Sequence, residues 1–240
     1  MNTQTTHNQA TDIKWKSLYK AGGVSAVIIG AILLIEMIFY IVTSAPDMAD
    51  ATGWFNLLHN NRFIGLVDFG ILELYALVLF VPVLLGLYIV LKSASESYMS
   101  IAAILAFTGI AVNFATSKLF SLLTLSDLYA AATIMEIKSH FLAMGQATLA
   151  LGALGGIGGS VEGGIPLAVA GLIISIVMLR SGILGRTVGY FGLLANGVGM
   201  MMYFNAALAP AMSGSPFFAV FFLLTVIWFF LIGRKLLQEK

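Results

Sequence analysis

NRFIGLVDFGILELYALVLFVPVLLGLYIVLKS, residues 61–93, is the stretch that decides the fold. Between Arg62 and Lys92 it is long and apolar enough to cross a membrane as one helix. It nevertheless carries two acids, Asp68 and Glu73. A charged side chain at the centre of a bilayer costs about 2.5–3.5 kcal/mol on insertion scales. We therefore expect both acids to be neutralised, paired or turned toward a polar interior that the rest of the chain supplies.

The composition predicts the same class of protein. The chain has 240 residues, of which 60% are hydrophobic and 10% are charged, and its mean hydropathy is +0.98. Soluble domains have about 25% charged residues, so the sequence predicts an all-α polytopic membrane helix bundle. The formal net charge of +1 gives no reason to expect a nucleic-acid partner. The chain has no cysteine, which excludes disulfides, thiolate metal sites and a Cys nucleophile.

The apolar runs predict a polar cytoplasmic tail at residues 1–20 and a single transmembrane helical domain at residues 21–237. Residues 21–42 contain Glu36 and form the first predicted span, because the run is longer than the roughly 7–15 apolar residues of a cleaved signal peptide. The second half of the linker 43–62 is amphipathic and predicts a short helix at the membrane interface. Further spans are predicted at residues 61–93, 99–121, 165–179, 187–209 and 216–232.

Residues 127–164 are harder to assign. Residues 141–154 are apolar, but as a helix they extend only about 21 Å, which is short for a crossing. Seven glycines lie between residues 152 and 164. We expect residues 155–164 to be a mobile break between helices on the outer side, because Glu162 would be costly in lipid. One crossing within residues 127–180 gives six spans, and two crossings give seven.

The distribution of basic residues favours six crossings, with both termini cytoplasmic in the cell membrane. Seven crossings would place one chain end, or the pair Arg180 and Arg186, on the wrong side. Residues 127–160 then form an interfacial or outward-side helix region. Three basic residues, Arg62, Lys118 and Lys138, fall outside. Nine of the 12 fall inside: Lys14, Lys16, Lys20, Lys92, Arg180, Arg186, Arg234, Lys235 and Lys240.

Three stretches resemble a known family. They are residues 61–93, AGLIISIVMLRSGILGRTVGYFGLLANGVG at residues 170–199, and VIWFFLIGRKL at residues 226–236. An apolar helix that ends in Leu-Arg-Ser-Gly, a short basic turn and a Gly-rich span resemble a widespread prokaryotic membrane-protein family, domain of unknown function 4386. The similarity runs from about residue 21 to residue 237. It implies about six spans in the cytoplasmic membrane and no activity, because none is assigned to that family.

Polar residues of several predicted spans fall at similar depths in the outer half of the bilayer. At about 1.5 Å per residue, Glu36 and Asp68 lie about 8 Å below the outer boundary, and Glu73 and Asn196 lie near the middle. We expect a pocket that binds an ion, a proton or a small polar ligand. The alternative is a set of interhelical hydrogen bonds with one acid–lysine pair. The candidate ligand-binding residues are Glu36, Asp68, Glu73, Asn113, Lys118, Asn196 and Tyr203.

The depths also predict which of these acids is charged. Glu73 lies farthest from water, so we expect it to be uncharged and hydrogen-bonded, with Asn196 as the candidate partner. Glu36 and Asp68 lie nearer water and are expected to share Lys118. On this view Glu73→Gln leaves stability nearly unchanged, whereas Asp68→Asn lowers it by leaving Lys118 without a partner.

No catalytic set and no metal site can be recognised, and we expect no cofactor. His59 and His140 each stand alone in a predicted loop, without a second ligand at helical spacing. Ser117 and Ser121 have no base near them in sequence. The expected partner is the lipid bilayer. The functions left open are a transport- or sensing-related ligand-binding protein, a structural or partner-binding membrane subunit, and a membrane-embedded hydrolase at the outer leaflet.

Overall fold

The structure is a computed structural model that describes residues 3–43, 45–152, 161–208 and 217–238. Within those ranges the chain forms helices and no β-strand, as the hydropathy predicts. In chain order the helices are α1 (Thr3–Val42), α2 (Ala51–Asn60), α3 (Arg62–Asp68), α4 (Ile71–Leu91), α5 (Glu96–Thr116), α6 (Leu119–Ala131), α7 (Met135–Gly152), α8 (Val161–Ser181), α9 (Arg186–Leu208) and α10 (Phe217–Gln238).

Six of these helices form a closed ring. The order around the ring is α1, α4, α5, α8, α9 and α10, and α10 packs back against α1. Neighbours run antiparallel, because residues early in one helix contact residues late in the next. On α1, a Cβ built on Gly22 would lie 2.7 Å from the carbonyl oxygen of Pro82, and one on Gly23 would lie 3.1 Å from that of Gly233. Small residues thus allow backbones to approach closely, as in membrane bundles generally.

The ring is apolar both inside and outside. Its core includes Leu84 and Ile174, which are fully buried. Its outer faces carry side chains such as Val78 and Ile104, which are 54% and 67% exposed. Such helices fit lipid rather than water as the surrounding solvent. Among the described residues, five stretches are long and apolar enough to cross a membrane: Trp15–Phe39, Ile71–Leu91, Glu96–Ala131, Val161–Ser181 and Ala219–Gln238.

The remaining helices, α2, α3, α6 and α7, form a second layer, here called the cap layer. They connect α1 to α4 and α5 to α8, so they lie at the end of the ring where α1 ends and α4 begins. Trp54 and Phe55 of α2 pack with Leu122 of α6 and Leu149 of α7. The predicted helix in the linker 43–62 is present as α2, but Trp54 is fully buried under α6 and α7 rather than placed at a lipid interface.

The stretch 61–93 contains two helices, so its prediction as one spanning helix is wrong. The Asn61 side chain accepts a hydrogen bond from the backbone of Ile64 at 3.3 Å and begins α3. Gly70 then has φ of 97°, a left-handed conformation that side chains with a Cβ disfavour, and this separates α3 from α4. Asp68 therefore lies outside the span, and Glu73 lies in the first turn of α4.

Two further boundaries differ from those predicted. The helix of the third predicted span, α5, ends at Thr116 rather than residue 121, because Ser117 is extended (ψ 129°) and α6 begins after Lys118. The expected glycine-rich break lies partly outside the described residues, at 153–160. Its last part, residues 161–164, is the first turn of α8 rather than a loop.

Candidate functional site

A cavity of about 150 Å³ lies inside the ring, between α1, α4, α8, α9 and α10. Most of its lining is aliphatic or aromatic. Five polar residues from four helices also line it: Glu36 on α1, Glu73 on α4, Asn196 and Tyr203 on α9, and Thr225 on α10. All but Thr225 belong to the seven candidates that the sequence predicts, so four of the seven line one cavity.

Glu36 is the most enclosed of the charged groups at the cavity. Its residue is 9% exposed, and its Oε1 is buried without a hydrogen-bond partner among the described residues. The carboxyl group interacts with the backbone N–H of Glu73 in the first turn of α4, where the helix itself does not use the N–H groups. A buried carboxyl oxygen without a donor is costly, because burial removes the water that would otherwise hydrogen-bond to it.

Glu73 reaches from α4 toward the gap between α3 and α4. Its Oε2 would lie 3.5 Å from a Cβ built on Gly70. Its carboxyl group also lies close enough to the Tyr203 phenol to interact with it electrostatically. The two carboxyl groups and the phenol therefore form the polar end of the cavity, next to the cap layer. A bond between Glu73 and Asn196 stays a prediction.

Two glycines of α8 make room for the polar residues of α9. The Tyr203 ring occupies the space where a Cβ on Gly164 would lie, and the Asn196 amide occupies that of Gly171. Asn196 Nδ2 donates to the carbonyl oxygen of Gly192 at 2.8 Å, one turn earlier in α9. This bond fixes the amide beside α8, where its oxygen lies against Gly171.

The other three predicted residues lie outside the cavity lining. Asn113 is buried between α5 and α8, where its Nδ2 donates to the carbonyl oxygen of Gly109 at 3.0 Å. Lys118 precedes α6. No ion pair joins Lys118 to Asp68 or to Glu36, so the predicted sharing of Lys118 is wrong. The reason is that Asp68 ends α3 instead of projecting from a continuous span.

Asp68 bonds to the end of α1 instead. Thr43 Oγ1 donates to Asp68 Oδ1 at 2.9 Å, and Asp68 Oδ2 is buried without a partner among the described residues. Burial raises the pKa of the Asp68 carboxyl above its usual value of 3.8, and the hydrogen bond from Thr43 offsets part of that rise. This pair belongs to the cap side of the fold and is separate from the cavity.

The aromatic part of the cavity was missed at the level of sequence. α10 contributes Phe221, Phe222, Trp228 and Phe229, and α4 contributes Phe80. The α10 residues form two aromatic pairs seven positions apart, which places both pairs on one face of a helix. That spacing was the feature of the sequence that could have predicted an aromatic face on α10. In a chain with 17 phenylalanines it is hard to separate from ordinary lipid-facing packing.

The described residues offer little to a metal ion or to a hydrolytic reaction. They contain no group of three or more His, Asp or Glu side chains that could hold a metal. His59 and His140 are both exposed in the cap layer. Ser117 and Ser121 lie at the junction of α5 and α6, outside the cavity lining.

Comparison of the chain with known protein families, with curated proteins and with solved structures finds no match. The resemblance to domain of unknown function 4386 therefore stays a prediction. The function has to be inferred from the residues that line the cavity.

Proposed function

We propose that this chain is an integral protein of the cell membrane with six crossings and both termini in the cytoplasm. The six crossings are the ring helices, and α9, with 23 residues, is long enough to be the sixth. Basic residues support the orientation. Lys92 Nζ lies 5.9 Å from the centre of the Trp15 ring, and Lys235 Nζ would lie 3.9 Å from a Cβ on Gly185, so basic side chains from distant parts of the sequence share one end.

We further propose that the protein binds a small polar or charged ligand in the cavity, as part of transport or sensing. The observation that carries this proposal is the Glu36 carboxyl group, which lines the cavity and has one oxygen without a hydrogen-bond partner in the described part of the chain. An ionisable group inside a membrane bundle is costly, and such groups commonly mark the path of a substrate or an ion. A ligand that donates to Glu36 would remove this cost.

The alternative of a structural or partner-binding subunit draws on the small-residue helix faces. Gly22, Gly23, Gly109 and Gly163 are used for contacts within the ring itself, between α1 and its neighbours and between α5 and α8. These faces already pack against neighbouring helices of the same chain, so they are not exposed for a partner protein. For the hydrolase alternative, the described lining offers only the hydroxyl groups of Tyr203 and Thr225 as nucleophiles. The Thr225 hydroxyl donates to the carbonyl oxygen of Phe221 at 2.7 Å, within its own helix. The ligand-binding proposal accounts for more of the observed polar groups than either alternative.

A ligand screen by thermal unfolding in detergent tests the proposal, with Glu36→Gln as the variant and Glu96→Gln as its matched control. Glu96 is an exposed acid at the start of α5. We expect at least one small polar compound to raise the unfolding temperature of the wild type and of Glu96→Gln, and to do so much less for Glu36→Gln. Equal stabilisation of all three proteins by every active compound would contradict the proposal.

A further inference from the structure

The size and the lining of the cavity restrict which apolar group the ligand can carry. Its volume is about 150 Å³, which is the size of engineered apolar cavities that hold benzene. Six aromatic side chains face it: Phe80, Tyr203, Phe221, Phe222, Trp228 and Phe229. A compact apolar group of about six to eight non-hydrogen atoms fits such a space. A strongly hydrated molecule would lose its water there without gaining enough polar contacts.

The acidic side chains at the cavity restrict which polar group the ligand can carry. The described lining contains two carboxyl groups, Glu36 and Glu73, and no Lys, Arg or His. The internal segments outside the described residues, 153–160 and 209–216, contain no Lys, Arg or His in their sequence. The described lining therefore places no cation beside the Glu36 carboxyl group. A negative charge on Glu36 must be balanced by a cation that enters from outside, or the group must hold a proton.

Divalent metal ions fit this site poorly. Calcium takes six to eight oxygen ligands, and magnesium requires a nearly ideal octahedron of oxygen atoms. The lining has a mainly aromatic wall. The described residues contain no group of three or more His, Asp or Glu side chains that could gather enough oxygen ligands around one such ion. Aromatic rings instead attract organic ammonium groups through their π-electrons, within about 6 Å of the ring centre.

Deepening the proposed function, and resting on it, we propose that the ligand is a compact organic monocation, an ammonium group on an apolar or aromatic body. The ammonium group lies between Glu36 and Glu73, where it donates to the unpartnered Oε1 of Glu36. The apolar body lies against Phe80 and the aromatic face of α10.

Binding exchanges a proton on a carboxyl group for the ammonium group of the ligand. In the empty site a carboxyl group holds a proton, and the ammonium ion enters as that proton leaves. The pair formed is a carboxylate with an ammonium ion, one proton is released to water, and the net charge of the site is unchanged. The titratable groups that face the site are Glu36 on α1, Glu73 on α4 and Tyr203 on α9, while α8 and α10 contribute none to the described lining. The ligand therefore binds more tightly as the pH rises.

Benzylamine and its neutral counterpart, benzyl alcohol, form a matched pair of probes for this proposal. Affinities for the full-length protein in detergent are measured by calorimetry between about pH 5.5 and pH 7.5. We expect benzylamine to bind at least about tenfold more tightly than benzyl alcohol, which is about 1.4 kcal/mol. We expect its affinity to rise by up to about tenfold per pH unit, as release of one proton requires. The Glu36→Gln variant should bind benzylamine more weakly than the wild type, and the Glu96→Gln variant should bind it with the same affinity as the wild type.

A second measurement does not depend on any variant. Titration of the wild-type protein with benzylamine in weakly buffered solution should release about one proton per bound ligand. Two results would show that the ligand is not an organic cation: equal affinity for both probes, or binding of benzylamine without proton release. The site would then be one that binds neutral polar ligands. Stabilisation by sodium or calcium alone would also overturn the organic-cation class. If neither probes nor ions bind at the cavity, the proposed function fails together with the class.

Discussion

Asp68 holds the end of α3 to the end of α1 through one hydrogen bond, from Thr43 Oγ1 to Asp68 Oδ1 at 2.9 Å. Burial raises the pKa of its carboxyl group, so the folded protein holds this proton more tightly than the unfolded chain does. The stability that this group contributes is therefore fully present below its usual pKa of 3.8 and is lost as the pH rises through the raised value.

Asp68→Asn should remove this loss of stability, since asparagine keeps the oxygen that Thr43 needs and cannot ionise. Thermal unfolding of the wild type and the variant should diverge as the pH rises from about 4 to about 7, with the variant less sensitive to pH. Asp127→Asn is the control. Asp127 pairs with Arg62 at 2.6 Å in a half-exposed ion pair, which contributes about 0–1 kcal/mol. Parallel pH profiles for the wild type and Asp68→Asn would contradict this account of Asp68.

Glu36, Glu73, Asn196 and Tyr203 lie on helices of the ring and line one cavity. The predicted depth of Glu73 is wrong, because it was placed near the middle of a continuous span, whereas it lies in the first turn of α4. Asp68 was misplaced because it is the last residue of α3, and its partner Thr43 comes from the end of α1. Such a partner depends on how two chain segments meet, which depth alone does not give.

At the scale of elements, the packing of α8 against α9 depends on Gly171. The Asn196 amide lies where a Cβ on Gly171 would be placed. Gly171→Ala should therefore displace Asn196 and destabilise the protein by about 1–3 kcal/mol, as overpacking does. Gly197→Ala is the matched control, because nothing lies within 4 Å of its Cβ. It should leave stability unchanged or raise it by about 0.5–1 kcal/mol. Equal unfolding temperatures for the two variants would show that this packing is loose.

The break between α3 and α4 depends on the conformation of Gly70, where φ is 97°. Gly70→Ala should lower stability by about 1–2 kcal/mol, because a Cβ disfavours this backbone conformation. Gly70→Asn should cost less, since asparagine adopts positive φ more readily than other side chains. Unfolding temperatures should fall in the order glycine, asparagine, alanine. If alanine is tolerated as well as glycine, α3 and α4 form a continuous helix in solution.

Hydropathy predicted the long helices well, because their apolar runs are longer than any soluble core requires. It did not predict the break at Gly70, since residues 61–93 taken together are long and apolar enough for one continuous span despite Asp68 and Glu73. It also did not predict that α2 is buried. Trp54 on an amphipathic helix is equally suited to a lipid interface and to a protein surface, and the choice depends on α6 and α7 covering it.

At the scale of the whole molecule, the chain lacks cysteine, so single cysteines can report its orientation without background. His59 and Glu162 are exposed near the cap end, and Ser93 is exposed at the opposite end. A membrane-impermeant thiol reagent should label His59→Cys and Glu162→Cys in intact cells, and Ser93→Cys only after permeabilisation. The reverse pattern would place the cap layer in the cytoplasm, and labelling of Glu162→Cys only after permeabilisation would contradict six crossings.

A compact organic cation in the cavity beside Glu36 can be located directly in a crystal structure of the protein grown in a lipidic phase with 4-bromobenzylamine, whose bromine gives an anomalous signal. We expect an anomalous peak inside the ring near Phe80 and Phe229, with the amine within hydrogen-bonding distance of Glu36 Oε1. A peak found only on the lipid-facing surface, with the Glu36 side chain bonded to another protein group, would contradict this expectation.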